Sequence, residues 1–228
     1  MFIVLLLLFG RVVPASAAPS ANPDVWIWPA AYVQQAKNVG TASVFVLQRH
    51  FSRSGRIEKR GPAPWPWKVK ELTIVFRFET RPQVAEVITQ FFALKQAWES
   101  KSVTVRGLQL DYDSPTAKLG FYQKDLSEIL EAIRKQTPEQ NLSITGLTDW
   151  LTLERSEFGS DITVYFQFYR ENRMHAENEM YIERLARAKF PFKIGLLPGQ
   201  TLTSRQNELL ALASQFRGFA TFFGGTRL

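Results

Sequence analysis

The sequence contains no cysteine and only two histidines in 228 residues. Without cysteine there is no disulfide, no thiolate nucleophile and no thiol to carry a lipid. The two histidines, His50 and His175, show no metal-ligand spacing. Nothing here predicts a metal, and any metal would need carboxylate ligands instead. There is no Gly-x-Ser-x-Gly elbow for a serine hydrolase. Where a dinucleotide-binding chain would place a Gly-rich turn after its first strand, this one has "WIWPAAY". No cofactor is therefore expected. Neither a basic helix nor an aromatic RNA-binding strand is present, so nucleic acid is not an expected partner. Basic residues outnumber acidic ones, 28 to 21, for a net charge of +7. They are scattered, which reads as a solvated cationic surface or as attraction to anionic polymers.

What the chain does have begins at its N-terminus. "MFIVLLLLF" is an apolar run, and "ASAA" at Ala15–Ala18 supplies small residues. Together they predict a signal peptide over residues 1–18, cleaved after Ala17 or Ala18, and a secreted or periplasmic protein. The run is too short for a comfortable membrane span, so none is expected after cleavage. No Lys or Arg precedes the apolar core, which leaves an uncleaved anchor as the alternative.

Residues 22–228 read as a single domain, with 45% hydrophobic residues across the whole chain to build a core. Eight strand-like runs recur at Asp24–Trp28, Ser43–Arg49, Leu72–Phe78, Val103–Asp113, Leu142–Leu147, Ile162–Tyr169, Phe192–Leu197 and Phe219–Phe223. Helical periodicity falls between most of them, over Pro82–Glu99, Pro115–Lys135, Ala176–Ala188 and Thr203–Phe216. The last of these opens with "TSRQ", a capping box, and Gly218 reads as its C-terminal cap. Ser114 and Pro115 read as the cap and first position of the second helix. Alternating strands and helices predict a parallel sheet, and eight strands favour an α/β (β/α)8 barrel over an open sheet. The barrel would be compact, with short loops and no final helix.

In "GLQLDYDSPT", Gly107–Thr116, Leu108, Leu110 and Tyr112 alternate with Gln109, Asp111 and Asp113. In a barrel strand the apolar set packs on helices and the other set faces inward, with its last residues at the C-terminal mouth. Val103, Val105 and Gly107 would begin the inward face. The same parity in "ELTIVFRFE" and "ITVYFQFY" sends Arg77, Glu79, Gln167 and Tyr169 to that mouth. Trp26 or Trp28, and Trp150, are expected close by. Three readings of these faces stand side by side. They are the wet face of an antiparallel sheet, a structural network in which Arg77 neutralises Asp111, and a working site.

The segment "GLQLDYDSPT" followed by "LSITGLTDWL" at Leu142–Leu151 resembles the bacterial family called domain of unknown function 3142. "VYFQFY" is similar to that family's later strand, with Tyr169 where the family pattern has histidine. The resemblance implies a secreted barrel and no assigned reaction. A looser likeness links "RGLQLDYD" to the D-G-x-D-x-D-x-E strand of chitinase-like barrels. It implies a carbohydrate site, with Asp113 on the acid-catalyst Glu and Asp111 on its supporting Asp. Gln109 and Arg106 replace the motif's other two acids.

From the residues themselves, a glycoside hydrolase needs a proton donor and a second group to stabilise the developing charge. Asp113 is the candidate acid and Asp111 its tuner, about 7 Å away at Cα, with repulsion raising one pKa. Glu79 or a substrate acetamido group would be the second catalytic group. Gln109, Arg77, Gln167, Tyr169, Trp28 and Trp150 would hold an oligo- or polysaccharide. The alternative is a non-catalytic glycan-binding or scaffold barrel.

Overall fold

The structure, a computed structural model, describes residues 24–28, 43–152, 158–168 and 175–223. The expected signal peptide and Tyr169 lie outside the described residues. Eight parallel strands form a closed barrel: β1 (Asp24–Ile27), β2 (Ser43–Phe51), β4 (Glu71–Phe78), β5 (Val105–Tyr112), β6 (Asn141–Gly146), β7 (Ile162–Gln167), β8 (Phe192–Leu196) and β9 (Phe216–Phe223). Closure comes from β1, which pairs in parallel with both β2 and β9. On either side of β5 the pairing is parallel, which removes the antiparallel-sheet reading.

A ninth strand, β3 (Ile57–Lys59), runs antiparallel to the end of β2 and lies outside the barrel. It was not expected, because three residues carry too little alternation to register as a strand. The turn into it places Gly55 at φ +80°, where a side chain would be strained.

Four helices are present among the described residues: α1 (Val84–Glu99), α2 (Leu119–Gln136), α3 (His175–Leu185) and α4 (Ser204–Ala211). None is long and apolar enough to cross a membrane. α1 buries Val87, Phe91, Leu94 and Trp98, and α2 buries Leu119, Tyr122, Leu126, Ile129 and Ile133. These stripes pack with Leu108 and Leu110 in the outer core. The capping box forms in full: Gln206 N–H donates to Thr203 Oγ1 at 3.2 Å, and Thr203 N–H donates to Gln206 Oε1 at 2.9 Å.

Two expected caps do not form. Gly218 lies inside β9, at φ +102°, where the register against β8 slips by one residue. A bulge, rather than a helix end, is what needs glycine there. Ser114 does not cap α2. Its N–H donates to Tyr112 O at 2.8 Å in a tight turn, and its carbonyl accepts from Trp150 Nε1 at 3.0 Å. A single 3₁₀ turn, Thr116–Lys118, then leads into α2.

The barrel interior is a separate, smaller core of Trp26, Trp28, Phe45, Leu47, Val75, Tyr165, Ala220 and Phe222. Trp26 sits 5.2 Å from Tyr165 and 6.2 Å from Phe45, measured between ring centroids. Its indole occupies the space that Gly195 leaves open: a Cβ at 195 would stand 3.0 Å from Trp26 Cζ3. Lower down, Asp24 accepts from Tyr165 Oη at 2.7 Å and from Lys193 Nζ at 2.5 Å. Large aromatics therefore fill the middle and an ion-paired carboxylate occupies the N-terminal end. Among the described residues, the filled interior leaves the C-terminal mouth open for chemistry.

Val103 and Val105 do not begin the inward face of β5. Both pack in the outer core, because the register with β4 slips between Leu72 and Thr73. Inward alternation starts at Gly107, where a Cβ would meet Asn141 O at 2.9 Å and Thr73 Oγ1 at 3.3 Å. Glycine is required there by that close approach.

Candidate functional site

Above Gly107 the inward face of β5 carries Gln109 and then Asp111, with Asp113 just past the strand's end. Gln109 is 1% exposed and donates through Nε2 to Ser143 Oγ on β6 at 3.3 Å. It is a layer beneath the mouth and has no access to a ligand. Asp111 is 3% exposed. Arg77 Nη1, on the paired position of β4, donates to Asp111 Oδ2 at 2.7 Å, and Thr145 Oγ1, on β6, donates to Oδ1 at 2.7 Å. Both carboxylate oxygens are thus satisfied. Burial pushes the Asp111 carboxyl above its ordinary value, against the Arg77 charge and the Thr145 hydrogen bond; the nearby Asp113 charge adds a smaller push upward. The upward shift on Asp111 therefore comes chiefly from burial, with repulsion from Asp113 a lesser cause.

Arg77 is held on two sides. Its guanidinium lies 5.0 Å from the centre of the Trp28 ring while pairing with Asp111. Trp28 is 6% exposed, so it forms the floor under Arg77 rather than an open stacking platform. Asp113 is exposed at the rim. Glu79 is exposed as well, one residue past β4. The last register pair of β4 and β5 is Phe78↔Tyr112, so Glu79 and Asp113 leave the sheet side by side on neighbouring strands. The Arg53 backbone N–H, donating at 2.8 Å, holds the Glu79 carboxyl below its ordinary value, with further help from the His50 charge.

His50 is the mouth residue that strand parity missed. Plain alternation from Phe45 and Leu47 would send Arg49 inward. The register of β2 against β4 slips between Leu47 and Arg49, and His50 stands opposite Arg77 instead. Its Nε2 is 3.3 Å from Glu79 Oε1, outside hydrogen-bond alignment, and its Nδ1 is 3.6 Å from Glu58 Oε2 on β3. No alternation in the sequence could have found it, because the bulge is a property of strand pairing. Thr145, visible as a small polar residue in "LSITG", gained its role only through the position of Asp111.

Gln167 ends β7 and is half-buried opposite Gly195. Trp150 is not at the mouth: it is fully buried in the outer core, 6.3 Å from Tyr122 and 5.6 Å from Phe158 between ring centroids. The expected residues thus divide. Arg77, Asp111 and Trp28 form one network, and Glu79 and Asp113 share the rim above it. Gln167 lies farther around the mouth, Gln109 is below, and Trp150 is outside the barrel interior. No group of three His, Asp or Glu side chains arranged to hold a metal occurs among the described residues.

These features define a compact closed (β/α)8-type barrel whose C-terminal mouth carries a neutralised acid–arginine network beneath two rim carboxylates. Residues 72–163 match the model of the family Domain of unknown function (DUF3142), so this stretch of the chain is similar to that family. The matched stretch runs from β4 into β7 and contains Arg77, Glu79, Asp111, Asp113 and Thr145. No curated protein matches the chain.

Proposed function

We propose that the mouth of this barrel engages an envelope or extracellular glycan and acts on it as a glycoside hydrolase, with the protein exported to the periplasm or beyond. The observation that carries this reading is the pair of rim carboxylates, Glu79 and Asp113, leaving adjacent parallel strands over the Arg77–Trp28 floor. Glycosidic cleavage needs one carboxylic acid and one carboxylate across the scissile bond. The Arg53 amide and the His50 charge favour the ionised form of Glu79, which suits the second group. Asp113 is the proton donor. Asp111 touches no substrate; through Arg77 and its own charge it sets the field beneath the pair. Gln167 completes the sugar contacts from the end of β7.

The test is Asp113→Asn, which keeps size and hydrogen bonding while removing the proton. Losing a general acid costs about 10²–10⁴ in rate, roughly 3–5 kcal/mol of barrier. Chitin, peptidoglycan and other envelope oligosaccharides are the substrates to screen. Cleavage should fall by that factor with binding retained. Unchanged cleavage, on a glycan that the wild type hydrolyses, removes Asp113 from the chemistry.

A second reading has its own observation. Both oxygens of Asp111 are already satisfied by Arg77 and Thr145, and the acid at position 113 is an Asp, one methylene shorter than the Glu of the chitinase-like motif. A glycan-binding or scaffold barrel without catalysis fits that closure. Glycan binding without turnover in the wild type would select it.

A further inference from the structure

Beside the mouth, on the outer side of the rim, lies a cavity of about 400 Å³ that the reading above does not use. It falls in the size range of small-ligand sites, roughly 300–1,000 Å³. Its walls include Arg81, Tyr112, Ser114, Lys118, Phe121 and Tyr122. Ser114 directly follows Asp113, so the cavity adjoins the acidic rim. Among the described residues no carboxylate lines it.

Four features of this cavity point to a ligand. The Tyr122 hydroxyl is buried and makes no hydrogen bond among the described residues, although the residue is 1% exposed. A buried hydroxyl left unsatisfied is costly, and a ligand acceptor would remove that cost. Arg81 donates through Nε and one terminal nitrogen, Nη2, to Asp125, both at 2.6 Å. This leaves Nη1 without a protein partner among the described residues while Asp125 fixes the guanidinium in place. Lys118 has no ion-pair partner among the described residues. The walls are also aromatic. Phe121 is 60% exposed, an unusual position for a phenyl ring, and the Arg81 guanidinium holds it at 5.5 Å.

We infer that this cavity binds a carboxylate-bearing sugar ring, a uronic acid unit, with Arg81 and Lys118 on the carboxylate, Tyr122 donating to a ring or hydroxyl oxygen, and Phe121 against the ring face. The inference deepens the glycan reading and rests on it for the sugar ring. The cavity and its donors stand independently of which residue at the mouth does chemistry. A site of this kind, next to Asp113, would select glycans whose neighbouring unit is anionic.

The experiment titrates the full chain with methyl β-glucuronide and with the uncharged methyl β-glucoside, by calorimetry or NMR, alongside Tyr122→Phe and Lys118→Met. A charge-assisted hydrogen bond is worth about ten- to a hundredfold in affinity, and the glucuronide should be preferred by about that factor. Lys118→Met should erase most of the preference. Tyr122→Phe should weaken binding while leaving thermal stability unchanged or higher, since the hydroxyl it removes has no partner in the fold. Equal affinity for the two glycosides, no binding by the wild type, or a Tyr122→Phe variant that loses stability but not affinity would each overturn the inference. Glucuronide binding at this cavity in a chain that neither binds nor cleaves any oligosaccharide upholds it while ending the hydrolase reading. Oligosaccharide cleavage with no glucuronide affinity does the reverse.

Discussion

Replacing Arg77 by Met tests whether the mouth network is a buried ion pair held together by its arginine. Met approximates the length of the aliphatic stem and keeps contact with Trp28, while removing the charge and the 2.7 Å hydrogen bond to Asp111. Asp111, 3% exposed, is left with Thr145 alone. Breaking a buried pair in this way costs about 3–5 kcal/mol. The Arg77 side chain is 30% exposed, so water partly screens the pair already, and the lower end, about 3 kcal/mol, is expected near neutral pH. The loss should depend on pH with a definite sign. Asp111 already titrates above its ordinary value of 3.8, mainly because it is buried. Removing Arg77 raises it further. From 3.8 upward the native state then binds more protons than the unfolded state, so stability falls as pH rises, by up to about 1.4 kcal/mol per pH unit for one proton. Below 3.8 both states are protonated and the variant should approach the wild type. Urea unfolding at several pH values measures this directly. A deficit that does not change with pH, or one under about 1 kcal/mol at neutral pH, would refute the buried-pair account. Asp111→Asn should cost less than Arg77→Met, because the stranded arginine can reach water and keeps its contact with Trp28.

Gly195→Ala should destabilise the barrel by about 1–3 kcal/mol, the range for overpacking a filled core, because the new methyl meets Trp26 Cζ3 at 3.0 Å; a neutral result in thermal unfolding would mean that the interior is looser than its ring contacts imply. Glu79→Gln should flatten the acid side of the stability profile. The carboxylate of Glu79, held low first by the Arg53 amide, contributes stability above 4.5 that is lost as pH falls through its depressed value; an unchanged acid limb would show that this rim contact is not formed in solution.

Much of this protein was already determined by its sequence. The eight barrel strands, the four helices and the capping box at Thr203 follow from local periodicity and local hydrogen bonding, which a chain carries wherever it is read. So does the facing of Arg77 and Asp111, because period two holds along β4 and β5 once past the slip at Gly107. Tertiary structure decided the rest at the points where strand pairing breaks that period. The slip in β2 turned His50, and not Arg49, toward Arg77; the slip between β4 and β5 sent Val103 and Val105 to the outer core; and the slip in β9 absorbed Gly218 into a strand. One extra residue in a strand reverses the face of everything before or after it, and neighbouring strands, not the local sequence, determine where that residue goes. The same holds for Trp150, whose indole N–H found the Ser114 carbonyl in the outer core. An apolar body with one donor suits a mouth and a core equally well, and only the packing around it chose between them.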